Sequence, residues 1–157
     1  MRNFLLKIGL FSVVLVVLGF ITGLLADHGL RSLREGEFGE WNRYRTDSIR
    51  SNWIILGNSR AYRHFSTQII DSILHVDSYN LGATNATFPF QRLRYNYFRR
   101  FALKPSVVIL SVDAGTTLHT EDGNPDRQQF IPILNDLEIQ KGLKGYKNSF
   151  QWFDYYN

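Results

Sequence analysis

From Ile8 to Ala26 the chain runs IGLFSVVLVVLGFITGLLA, without one charged side chain, and Lys7 and Asp27 bracket the run. At 1.5 Å rise per residue a helix of this length covers roughly 28 Å, close to the hydrocarbon thickness of a bilayer. The run is apolar on all sides and lies at the extreme N-terminus, a poor fit to the striped helix of a small soluble core. A cleaved signal peptide is the rival reading, with Arg2 and Lys7 as its basic start and Ala26 before the cut. Leu24, however, stands where a small residue is preferred, and the run exceeds an ordinary signal core, so an uncleaved anchor is favoured. Arg31 and Arg34 follow the span as closely as Arg2 and Lys7 precede it, leaving the charge rule for orientation near balance. The very short tail before the span favours a single-pass protein of the cytoplasmic (inner) membrane with its main domain extracytoplasmic. The expected divisions are a tail 1–7, a transmembrane helix or signal anchor 8–26, a polar juxtamembrane connector 27–51 and a folded domain 52–157.

Composition narrows what that domain can be. Aromatic residues make up 15% and charged residues 20%, a balance suited to a folded core. The formal charge is +4, but acids are scattered among the Lys and Arg, which suits a solvated surface rather than a nucleic-acid partner. The chain has no cysteine, which excludes disulfides, thiolate metal sites and a Cys nucleophile. Glu121, Asp122 and Asp126 lack the spacing of a calcium loop, so no metal or other cofactor is expected.

The periodicity within 52–157 alternates between strand and helix. NWIILG (52–57) is a short apolar run ended by glycine, as expected of a strand buried on both faces. Ser66 is placed to cap a helix, with Phe65 and Ile70 as its staple and Ile69, Ile70, Ile73 and Leu74 as its apolar face. DSYNLG (77–82) predicts a second strand stopped by Gly82. Thr87 and Pro89 open a further helix on which Phe90, Leu93, Tyr97 and Phe101 recur, until Lys104-Pro105 ends it. SVVILSV (106–112) is the third strand, broken at Asp113, and a last helix is expected around Arg127–Gln140. Strands separated by helical crossovers predict an α/β domain with a parallel sheet between layers of helices.

Ligands of open parallel sheets gather at the carboxyl ends of the strands. Here those ends carry Gly57-Asn58-Ser59, Gly82 through Asn85, and Asp113. Each end has an ordinary reading as a turn; three together at one edge point to a site.

The blocks ILGNSRAYRHFSTQIIDS, SYNLGATNATF and KPSVVILSVDAGTT resemble the SGNH (GDSL-like) hydrolase superfamily, and more narrowly its membrane-anchored, extracytoplasmic bacterial members. The resemblance covers roughly 52–115. It implies a three-layer, flavodoxin-like α/β fold and a serine esterase or acyl-transfer chemistry. Ser59 matches the nucleophile, and the N–H groups of Ser59 and Gly82 match the oxyanion donors. Asn85 lies near enough in sequence to add a side-chain donor. Three departures accompany the match: Asn58 stands where the family has Asp, Asp113 stands where it has an oxyanion-binding Asn, and no late Asp-x-x-His block occurs. A carboxylate at 113 would oppose a developing negative charge unless protonated or turned away. The missing block implies a domain incomplete at its C-terminus.

A serine needs a base to attack at neutral pH. Of His28, His64, His75 and His119, only His119 follows a strand at the same edge, on the loop after the third strand, and it is the candidate base. Arg60 adjoins the nucleophile position and suits steering of an acidic substrate or pairing with Asp113. Arg92, Arg94, Arg99 and Arg100 suit an anionic glycan or phosphate, or more plainly a solvated helix face. The leading expectation is an ester hydrolase or acyl-transfer enzyme acting on an O-acyl group of an envelope glycan or lipid. The alternative is a catalytically inactive, membrane-anchored binding or assembly protein on the same fold.

Overall fold

The computed structural model describes residues 2–46, 49–113, 127–144 and 146. Its contacts divide the chain into two compact units, Met1–Asn42 and Arg43–Asn157.

The first unit is dominated by α1 (Arg2–Ser32), none of whose residues is buried. It is the one described helix long and apolar enough to cross a membrane, with a mean hydropathy of 2.7 over its most apolar window. Within the apolar run the Thr22 hydroxyl donates to the Leu18 carbonyl one turn back at 2.9 Å, so it needs no partner outside the helix. The helix outlasts the uncharged run by six residues, and Arg31 meets Asp27 one turn back at 2.7 Å. The last carbonyls of a helix lack intrahelical donors; here the Asn42 carboxamide donates to Leu30 and Leu33 carbonyls at 2.8 and 3.1 Å. Asn42 lies on α2 (Gly36–Thr46).

The second unit is a mixed helix and strand fold around a three-stranded parallel sheet, ordered β2-β1-β3. The strands are β1 (Trp53–Leu56), β2 (Ser78–Asn80) and β3 (Val107–Leu110). Trp53 stands opposite Ser78 on one side and Val107 on the other. The central strand is the most hidden: Ile54 and Ile55 are fully buried and Leu56 nearly so. Each such side chain contributes about 1.5–3 kcal/mol by leaving water.

Successive strand side chains point to opposite faces, and each face of β2 meets a different helical segment. Tyr79 stacks on Phe98 of α5 (Phe88–Phe98) with centroids 5.8 Å apart, and Tyr44 packs edge-on to Phe98 at 5.7 Å. Asn80, on the other face, donates its carboxamide to the Ala61 and Phe65 carbonyls at 2.9 and 3.1 Å. Those carbonyls belong to α3 (Ser59–His64) and its C-cap. The second crossover thus uses α5, and the first uses α3 and α4 (Thr67–Leu74). A 3-10 helix (Arg127–Ile133) and α6 (Leu137–Leu143) complete the described elements, with Phe130 edge-on to Phe90 at 6.0 Å.

Several local expectations are met. Ser66 caps α4 by accepting from the Ile69 N–H, and α5 begins at Thr87 with Pro89 in its first turn. Others differ. The stretch after Gly57 is not a bare turn but a short helix, because the Asn58 side chain accepts the Arg60 N–H at 3.0 Å. The apolar face of α4 is not covered: Ile69, Ile73 and Leu74 are all exposed. The Asp71 carboxylate accepts the Ser78 N–H at 2.8 Å and turns the helix by its 67, 70 and 71 side toward the sheet. The third strand lies at the edge of the sheet among the described strands, with Val108 and Leu110 exposed. The expected last helix is split after Ile133; Pro132 lacks the N–H a continuing helix needs, and Asp136 caps a new one through the Glu138 N–H.

Candidate functional site

Strand order runs outward from β1 in both directions, to β2 with one crossover and to β3 with the next. Such a reversal opens a crevice between the first and third strands at their carboxyl ends. The chain places Gly57-Asn58-Ser59 on one side of it and Ser111-Val112-Asp113 on the other.

Gly57 permits this junction. It is buried, and a Cβ there would collide with the Ala61 side chain and lie 2.9 Å from Ser111 Cβ. The Ser111 N–H donates to the Leu56 carbonyl at 2.8 Å and the Ala83 N–H to the Gly57 carbonyl at 3.2 Å, so all three strand ends are tied together.

Asn58 links the two walls. Its Oδ1 caps α3, and its Nδ2 donates to Oδ2 of Asp113. Arg60 Nε stands 4.0 Å from the same carboxylate oxygen. The Asp113 side chain is 15% exposed and that of Arg60 74%, so the guanidinium is the solvated member of the pair. Ser59 is the first residue of α3, half-buried between these two neighbours in the chain. The structure therefore gathers Asn58, Ser59, Arg60 and Asp113 at one point.

Gly82 stands on the other flank of α3. It is buried, and a Cβ there would lie 2.6 Å from the Tyr62 backbone nitrogen. Its N–H, the expected oxyanion donor, donates to Asn80 Oδ1 at 2.8 Å. The donor is thus already engaged by its own strand end. Asn85 is exposed with φ of 53°, a left-handed turn position that asparagine tolerates. None of its described contacts joins it to Ser59.

The histidines separate clearly. His28 is on α1 in the other unit, His64 ends α3, and His75 is the left-handed C-cap of α4 with φ of 52°. His64 is five positions from Ser59, roughly 140° around a helix, and does not share its face. His119 lies outside the described residues, as do Glu121, Asp122 and Asp126. Among the described residues no three His, Asp or Glu side chains converge as a metal site would need.

Arg94, expected on a solvated or ligand-binding face, is buried. It donates to the Tyr44 hydroxyl and lies over the Tyr44 and Phe90 rings at 5.6 and 5.8 Å, a role in packing the unit. Arg92 is exposed on the same helix. Asn80 was missed by the sequence reading, although Asn-Leu-Gly carries a signal for it: asparagine side chains commonly accept the N–H two residues on. Comparison with family models, curated proteins and solved structures found no match to this chain.

Proposed function

We propose that the chain is a membrane-anchored serine ester hydrolase or acyl-transfer enzyme of the SGNH type, acting on an O-acyl group of an envelope glycan or lipid. The observation that carries this reading is the place of Ser59: directly after the buried central strand, at the reversal of strand order, next to the Asn58–Asp113 link across the crevice. In the proposed reaction Ser59 Oγ attacks the acyl carbonyl and its proton passes to a base, for which His119 is the candidate. The Ser59 N–H and one of Gly82 or Asn85 hold the oxyanion, and the alcohol leaves with the proton returned by the base. Water or an acceptor hydroxyl then takes the acyl group from Ser59. Arg60, largely in solvent, suits steering of an anionic substrate toward the crevice.

A second reading is favoured by one observation. The Gly82 N–H is engaged by Asn80, and a catalytic role would require that bond to open. A non-catalytic binding or assembly protein on the same fold has no such requirement. A fluorophosphonate probe separates the two on the full chain in detergent micelles. Stoichiometric labelling that disappears in Ser59→Ala supports the enzyme; absence of labelling in the folded wild-type chain supports the binding protein.

A further inference from the structure

The amino edge of the sheet, opposite Ser59 and Asp113, carries a second concavity. Helix α5 starts beyond the carboxyl end of β2 and delivers the chain to the start of β3, so Arg99 and Arg100 follow its last turn at that amino edge. There α5, the two residues after it and α6 form an open groove of about 550 Å³ lined by Asn96, Arg99, Arg100, Leu137, Glu138 and Lys141. The volume lies within the range of small-molecule sites, roughly 300–1,000 Å³.

Its charges are unequal and one is paired from behind. Three cations face one lining carboxylate, that of Glu138, which lies 3.7 Å from Lys141 Nζ. Arg100 is fixed from behind: its Nη1 donates to both oxygens of Asp136 at 2.5 and 2.6 Å. Its guanidinium also lies over the Tyr97 and Phe101 rings at 5.7 and 5.4 Å. Because one nitrogen serves Asp136, the remaining donors of the fork are left for another acceptor. Arg99 lies over the Tyr95 ring at 5.7 Å and has no carboxylate partner among the described residues. Asn96 adds a carboxamide, and Leu137, 69% exposed, adds an apolar wall.

We infer that this groove binds a phosphate group. A planar carboxylate is satisfied by a single guanidinium fork, whereas cations contributed by the segment after α5 and by α6 suit a tetrahedral anion that accepts from several donors at once. The Leu137 wall leaves room for the apolar or sugar portion of a phosphate ester. Two sources share this chemistry: a phospholipid headgroup and a soluble phosphate. The site lies apart from Ser59, and its occupation is independent of whether Ser59 is a nucleophile.

The test uses the full chain in non-ionic detergent micelles, titrated with inorganic phosphate and, separately, with short-chain phosphatidic acid, each followed by phosphorus NMR. Saturable binding is expected. In the double variant Arg99→Gln, Lys141→Gln the Kd should rise about tenfold or more, as loss of charged hydrogen bonds implies. Arg92→Gln, on an exposed position outside the groove, should bind as wild type does. Circular-dichroism melts confirm that each variant is folded, and Arg99→Gln alone serves if the double variant is not. Tighter binding of phosphatidic acid assigns a headgroup; equal binding assigns a soluble phosphate. Failure of both probes to saturate, or equal affinity in wild type and the groove variants, overturns the inference.

Discussion

Replacing Asn58 by aspartate tests whether the Asn58–Asp113 link holds the crevice. The change is nearly isosteric and keeps the helix cap, because an aspartate oxygen can still accept the Arg60 N–H. It removes the Nδ2 donor and sets a second carboxylate against Asp113. The lost hydrogen bond to a charged group is worth about 1.5–3 kcal/mol. Two carboxylates about 3 Å apart repel by roughly 5 kcal/mol at an effective dielectric of about 20. The pair can avoid this by holding one proton, which at pH 7 costs about 4 kcal/mol for a carboxyl with an ordinary pKa near 3.9. Arg60 offsets little, being 4.0 Å from Asp113 and mostly in solvent. The protonated pair regains a hydrogen bond, so the net penalty at pH 7 should be about 2–4 kcal/mol, or roughly 5–12 °C in Tm for a chain of this size. The sign with pH is fixed. One carboxyl of the pair has a folded pKa raised above its unfolded value, so the penalty relative to wild type is small below about pH 4 and grows as pH rises toward that raised value. Thermal unfolding of wild type and variant in detergent, measured in parallel from pH 4 to 7.5, reads the difference directly. A difference that is absent at pH 7, or equal at pH 4 and 7, would refute the reasoning.

Gly82→Ala should destabilise the chain by about 2 kcal/mol or more, because the new Cβ meets the Tyr62 backbone nitrogen at 2.6 Å and backbone cannot swing aside; chemical unfolding checks it. Burial pushes the Tyr146 phenol above the ordinary value of 10.0, and the nearby Thr87 side chain opposes this only in part. Its contribution is therefore complete below about pH 10 and lost as pH rises through the folded pKa. Wild type should lose stability faster than Tyr146→Phe in that alkaline range alone, which paired melts would show. For the proposed topology, a reporter active only after export and fused after Asp126 should be active; silence there, with a cytoplasm-dependent reporter active at the same point, removes the envelope substrate.

The sequence was legible where one residue's chemistry dictated one local outcome. A β-branched run ended by glycine became β1, and Ser66 before an apolar run became a cap. Outcomes set by more distant partners were not. Which side of α4 faces the sheet depends on the Asp71 carboxylate finding the Ser78 N–H, and the apolar pattern of Ile69, Ile73 and Leu74 pointed the other way. The run SVVILSV predicts a strand but not its place, and β3 lies at the edge of the described sheet, a property of strand order that no single strand encodes. Arg94 looked like its neighbours on α5, and only the rings of Tyr44 and Phe90 make it a core residue. At the candidate site, the positions of Asn58, Ser59 and Asp113 at one sheet edge followed from the strand pattern. The capture of the Gly82 N–H by Asn80 depended on a side-chain rotamer and did not.

The edge position of β3 bears on the lifetime of the crevice. One of its two walls, with Asp113, is carried by a strand half of whose side chains face solvent, while the other wall extends from β1, buried from Ile54 to Leu56. Pairing of β1 with β3 also closes a chain loop roughly twice as long as that of β1 with β2, adding about 0.6 kcal/mol of closure entropy. Such a strand belongs to the part of a protein that opens first and re-forms last. Amide protons of 107–112 should accordingly exchange sooner than those of 53–56, and each excursion would dismantle the Asn58–Asp113 link while leaving β1, β2 and α5 folded. Occupation of the crevice by any ligand that touches both walls would then slow exchange in β3 and leave that of β2 unchanged, so the edge strand itself reports when the site is filled.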